Sequence, residues 1–235
     1  MLSVIQITFQ VFFKAFIVHG ILFSFFIYFA LIFLKRERTE SNRLLSAFYI
    51  SVMVGLFFNF LFVLIQVELW VHLLYYLTLY FLILGTVFLA LFLFLLYRAD
   101  IVSTKFKRLY ILLFSVSYFF TLLIPGGLTL NASTQWSPIY SLTYFIVLLL
   151  ILTVFAFAPV AYLNLKLYSI FENNILKKRW ILFMIGTILL FVFAYGTLIS
   201  HVMASAEFKL YWTYIALVVI ISSSVLLYLG VIRVS

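Results

Sequence analysis

No Asp, Glu, Lys or Arg occurs between Arg43 and Glu68, and uncharged apolar runs of similar length recur along the rest of the chain. Crossing a hydrocarbon layer about 30 Å thick takes about 20 helical residues. Inside that layer every backbone polar group must be bonded within the protein, which favours helices whose hydrogen-bond ladders close on themselves. On this basis seven spans are expected, near 12–34, 44–66, 73–97, 109–125, 142–165, 180–203 and 210–232. The expected fold is an all-α integral membrane protein, a seven-transmembrane-helix bundle forming a single membrane domain over 1–235. The fourth span is the weakest, because it is short and stops at Pro125-Gly126-Gly127.

With 68% hydrophobic and 9% charged residues, the chain carries more apolar surface than a soluble domain of its size needs, so a bilayer is its natural solvent. It has no cysteine, which excludes disulfides, thiolate metal sites and thiol catalysis. The N-terminal stretch lacks a basic n-region, and the apolar run after Lys14 exceeds the roughly 7–15 residues of a signal h-region. Met1 to Phe13 therefore reads as an extension of the first helix or an interfacial turn leading into it.

The position of the charges sets the direction of the chain. Lys35, Arg36, Arg38 and Arg43 follow the first span; Arg98, Lys105, Lys107 and Arg108 follow the third; Lys166, Lys177, Lys178 and Arg179 follow the fifth; Arg233 follows the last. With seven spans all of these fall on one side, and only Lys14 and Lys209 fall on the other. Basic loops stay cytoplasmic, so the N-terminus is expected outside and the C-terminus inside, in a multi-pass protein of the cell membrane. The net charge of +9 is absorbed by these loops, leaving no soluble basic surface for nucleic acid. The lipid bilayer is the expected partner, and anionic headgroups by themselves account for the basic inner face. Trp70, Tyr75, Trp136, Tyr140, Tyr211 and Trp212 fall where an outer aromatic belt belongs, and Trp180 marks the inner one.

Within the second span, Ala47, Ser51, Gly55 and Asn59 recur at every fourth position. That spacing lines up compact side chains on one helical stripe, where another helix can come close. Asn59 is the only amide deep inside a span. Its expected work is to hydrogen-bond across helices, with a ligand contact as the alternative. His72, Tyr76 and Tyr80 share one face of the third span, and His19 and His201 lie toward the same outer half. Together with Asn59 these are the candidate ligand-binding residues; belt aromatics on a packing face are the plainer reading. No metal is expected, since no ligand-spaced His or carboxylate motif occurs.

Pro159 removes one backbone donor and leaves the carbonyl of Phe155 without its helical partner, so a hinge is expected there. Ser222, Ser223 and Ser224 fall mid-membrane in the last span, where hydroxyls bond back to their own helix or reach a neighbour. Asn131-Ala132-Ser133, in the uncharged loop from Pro125 to Ser141, is a candidate glycosylation acceptor at Asn131 or an ordinary polar turn.

No Asp, Glu, Lys or Arg is embedded within a span, which argues against proton pumps, ion-coupled carriers and voltage sensors. The last helix has no internal Lys for a retinal Schiff base. No catalytic triad, phosphate loop or paired carboxylate appears, so neither an enzyme nor a cofactor is expected.

Asn42-Arg43-Leu44-Leu45 before the second span, Trp136-Ser137-Pro138 in the outer loop and Lys177-Lys178-Arg179-Trp180 before the sixth accompany this layout. In these features the chain resembles the seven-transmembrane input (sensor) region of prokaryotic histidine kinases and their stand-alone archaeal relatives. The resemblance implies a receptor-like or signal-transducing module that senses a small apolar or lipidic ligand from the outer side. In that family cytoplasmic domains follow the last helix; here the sequence stops at Arg233-Val234-Ser235, so either output passes through a cytoplasmic signalling partner or the chain is part of something longer. A non-catalytic accessory subunit of a larger membrane complex is the alternative. A third reading rests on an internal echo: Glu40-Ser41-Asn42 with Met53-Val54-Gly55 matches Glu172-Asn173-Asn174 with Met184-Ile185-Gly186. It suggests a 3+1+3 facilitator resembling the PQ-loop group, whose Pro-Gln pair is absent.

Overall fold

The structure is a computed structural model that describes residues 19–36, 39–65, 67–134, 136–203 and 205–231. Its helices are α1 (His19–Lys35), α2 (Glu40–Leu64), α3 (Glu68–Tyr97), α4 (Thr104–Phe119), α5 (Leu142–Ile170), α6 (Asn174–Val202) and α7 (Ala206–Val231). Six of them, α2 to α7, are long and apolar enough to cross a membrane. The protein is thus an all-α, multi-pass membrane protein. α1 has 17 described residues, and the part of the first expected span before His19 lies outside the described residues, as do Lys14, Arg38, Gln66 and Arg233.

Most helices begin several residues before the apolar runs do. The reason is capping. The hydroxyls of Thr39, Ser103, Ser141 and Ser205 and the amide oxygen of Asn173 each accept a hydrogen bond from a backbone N–H in the first turn that follows. Basic residues assigned to loops by hydropathy therefore ride on helices: Lys105, Lys107 and Arg108 on α4, and Lys177, Lys178 and Arg179 on α6. The fourth span ends as its sequence implies. α4 tightens into a 3-10 turn at Phe120–Leu123, and Gly126 then takes a left-handed conformation (φ 62°). Beyond it, a two-residue strand β1 (Leu128–Thr129) pairs with β2 (Ile139–Tyr140), a ribbon that hydropathy did not signal.

The chain divides into two compact units, Met1–Phe88 with Leu128–Ile139, and Leu89–Gly127 with Tyr140–Ser235. In the first unit, Phe26, Phe29 and Phe33 of α1 surround Tyr49 of α2, with ring centroids 5.4 to 5.8 Å apart. Ser46 on α2 donates to the carbonyl of Ala30 on α1 at 3.3 Å. α2 meets α3 through glycine on both sides. A Cβ at Gly55 would lie 3.0 Å from Leu82 Cγ and 3.1 Å from the carbonyl oxygen of Thr78, and one at Gly85 would lie 2.8 Å from Val52 Cγ2. Absence of those Cβ atoms lets the two backbones approach.

In the second unit, Leu89 to Leu93 on α3 are buried on every face. α6 and α7 form its tightest seam. A Cβ at Gly186 would lie 2.8 Å from the backbone nitrogen of Leu227, and the Ser223 hydroxyl donates to the Gly186 carbonyl at 2.8 Å. Ser224 instead donates back to Ile220 on its own helix at 2.8 Å, so the serine run shows both kinds of bond.

Candidate functional site

Pro159 dictates the most distinctive local structure in the second unit. A proline ring clashes with the carbonyl four residues earlier and offers it no donor. α5 answers by widening: Thr153–Phe157 form a π-helical turn, and the Ala158 N–H reaches the Thr153 carbonyl, five residues back. The carbonyl of Phe155 accepts a 2.8 Å hydrogen bond from the Tyr110 hydroxyl on α4. Leaving such a carbonyl unbonded in an apolar setting costs about 1–3 kcal/mol, so the tyrosine supplies what the proline removed. Its ring is held edge-on to Phe94 and Phe155, at 5.9 Å in each case, and stacks on Phe106.

α6 clasps the same turn. Thr153 Oγ1 donates to the Leu149 carbonyl at 2.7 Å and lies 2.8 Å from the Tyr195 hydroxyl. A hydroxyl has one proton; with that of Thr153 committed to Leu149, Tyr195 is the donor of the second bond. Phe157 packs edge-on against Phe191 and Tyr195 at 5.2 and 5.6 Å. Two helices thus each deliver one tyrosine hydroxyl to one irregular turn. Such π-turns are a recurrent feature of functional sites.

Farther along α5 lies a buried polar cluster. Asn164, 2% exposed, donates through Nδ2 to the Thr187 hydroxyl at 3.1 Å, and its carbonyl accepts from the Trp180 indole at 3.0 Å. Its Oδ1 has no hydrogen-bond partner among the described residues.

The residues singled out in the sequence divide between the two units. In the first, Ser51 and Gly55 are buried, and Ala47 and Asn59 are half-buried. Asn59 is inside α2 and makes no side-chain hydrogen bond among the described residues, so the amide bridge expected there is not seen. His72 Nδ1 donates to the Glu68 carbonyl of its own helix at 2.9 Å. Tyr76 and Tyr80 follow it on α3, half-buried, with the Tyr80 ring edge-on to Phe81. His19 is the first described residue of α1. Asn131 lies in the ribbon loop, where its Oδ1 accepts from Ser133 Oγ at 2.6 Å and the Thr134 N–H at 3.2 Å. His201 belongs to the second unit, its ring 5.0 Å from that of Tyr140. Among the described residues no group of three His or carboxylate side chains gathers as a metal site would require.

Tyr110, Thr153, Tyr195 and Asn164 were not singled out in the sequence. A signal for Tyr110 existed: the unpaired Phe155 carbonyl called for a donor on a neighbouring helix, but the sequence does not say which of 16 tyrosines comes near. Asn164 fell at the margin of an apolar run, where burial is invisible to hydropathy. Comparison of the chain with family models, curated proteins and solved structures returned no match.

Proposed function

We propose that this chain is a receptor-like or signal-transducing membrane module of seven spans, N-terminus outside and C-terminus cytoplasmic. It senses a small apolar or lipidic ligand from the outer side and acts through a partner. The observation that carries the proposal is the π-turn of α5, clasped by hydroxyls from α4 and α6. A turn bonded partly by side chains can be released at the cost of those bonds, about 1–3 kcal/mol for the Phe155 carbonyl, without unwinding the helix. A ligand shifts that balance only if it binds one arrangement better. α3 offers the route, since it bears Tyr76 and Tyr80 in its first half and Phe94, against Tyr110, in its last turn. The orientation is supported by Lys35 ending α1 and Arg36 after it, Arg98 following α3, Lys105, Lys107 and Arg108 opening α4, and Lys177 to Arg179 opening α6.

The test is a thermal-shift screen of the purified protein against lipids and small amphiphiles, with Asn59→Leu and Tyr76→Phe alongside, and hydrogen exchange over 153–159 as the conformational readout. A ligand whose shift is reduced in either variant and which changes exchange at the π-turn supports the proposal. Shifts untouched by both substitutions, with exchange at the turn independent of ligand, would sink it.

One observation favours a second reading, an accessory subunit. α4 and its 3-10 extension leave Leu109, Leu112, Leu113, Phe119, Phe120 and Leu123 more than half exposed, a surface that lipid or another subunit covers. Purification in mild detergent separates the two, because a subunit brings partners at fixed stoichiometry.

A further inference from the structure

Between α5 and α6 the chain concentrates positive charge. Lys166 lies near the end of α5, Lys177 and Lys178 lie in the first turns of α6, and Glu172 is the one acidic residue from 166 to 179. Two of these lysines sit over aromatic rings: Lys166 Nζ is 5.7 Å from the centroid of Tyr162, and Lys177 Nζ is 6.0 Å from that of Tyr168. Both rings are exposed, as are Leu165 and Ile170 beside them. A ring face holds an ammonium by its quadrupole, so the charges stand next to exposed apolar side chains.

The placement on α6 is electrostatically adverse. A helix N-terminus already carries about half a positive charge from its unbonded N–H groups, and cations there are repelled. Asn173 caps the Ile175 N–H with a neutral amide, which does nothing to offset the charge. The turn between α3 and α4 differs, because Arg98 has Asp100 at 3.6 Å as its own counter-charge. An anion set against the start of α6 would relieve the repulsion of the adjacent Lys177 and Lys178 by the helix N-terminus.

We propose that this turn binds the phosphate headgroup of an anionic phospholipid, with Lys166, Lys177 and Lys178 as its cations and the acyl chains lying along Tyr162 and Leu165, which precede Lys166 on α5. A lipid is the occupant, rather than a soluble phosphate, because exposed apolar side chains adjoin the cations on the same stretch of α5. In the orientation proposed above, the lipid belongs to the inner leaflet.

Native mass spectrometry of the full chain in mild detergent, with equal amounts of phosphatidylglycerol and phosphatidylcholine, tests this. The wild type should retain phosphatidylglycerol preferentially. Each lysine near an anionic surface contributes about a fivefold factor, so Lys166→Gln/Lys177→Gln/Lys178→Gln together should abolish the preference. Lys105→Gln/Lys107→Gln on α4 should leave it intact, and Glu172→Gln should raise it. Tyr168→Leu, which alters no charge, should weaken retention about twofold or more through the lost ring contact. If the triple variant fails to keep its helix content by circular dichroism, Glu172→Gln and Tyr168→Leu decide the matter. A triple variant that folds and keeps the wild-type preference overturns the proposal. So does an unchanged preference in Glu172→Gln and Tyr168→Leu together, or inorganic phosphate protecting the protein against heat as well as the lipid does.

Discussion

α2 against α3, and α5 among its neighbours, meet the same demand in opposite ways. Inside a bilayer every backbone carbonyl and N–H must find a partner within the protein. Where α2 meets α3, both helices are unbroken, and contact comes from removing bulk at Gly55 and Gly85. At α5 the helix itself is broken by Pro159, and contact comes from adding polar reach through Tyr110 and Tyr195. A glycine seam has one good arrangement, because its cost rises steeply with any intruding atom. A side-chain clasp depends on two hydrogen bonds, one from each tyrosine, and not on the fit of two backbones.

The largest effect should come from filling a seam. Gly186→Val on α6 places a branched side chain against the α7 backbone at Leu227 and Ser223, and overpacking of this kind costs about 3 kcal/mol. Its readout is a large drop in thermal stability in detergent, and a variant as stable as wild type would show that the α6–α7 seam yields. Next comes Tyr110→Phe, which leaves the Phe155 carbonyl without its donor and should cost about 1–2 kcal/mol. In a Pro159→Ala background the same substitution should cost less than half as much, because the N–H regained at position 159 can serve that carbonyl. Equal costs in the two backgrounds would remove the proline from the explanation. Smallest are Tyr195→Phe, at about 0.6 kcal/mol for one interhelical bond, and Asn59→Leu, within about 0.5 kcal/mol because no hydrogen bond is lost among the described residues. A greater loss at Asn59 than at Tyr110 would invert the ranking and point to a hydrogen bond across helices at Asn59.

Much of the helix layout was legible because hydropathy is a one-dimensional property. Charge-free runs report spans directly, and the cap residues Thr39, Ser103, Asn173 and Ser205 explain why four of the helices start ahead of those runs. Pro159 announced a local break for an equally local reason: a proline disturbs its own helix whatever surrounds it. The candidate polar residues were less legible. Asn59 stood out by depth, yet depth in a membrane says nothing about who stands opposite. Asn164 looked marginal in sequence and is among the most buried polar residues of α5.

The amino-acid sequence by itself determined which segments are helical and where α5 must depart from regular geometry. These follow from side chains acting on their own backbone and on the solvent. Only the tertiary structure decided that the departure is a π-turn, that Tyr110 and Tyr195 are its donors, and that Gly85 answers Gly55 across a seam. Those outcomes depend on which helices become neighbours and how each is rotated, and in a chain this apolar many pairings bury similar surface. A few polar and glycine contacts select among them.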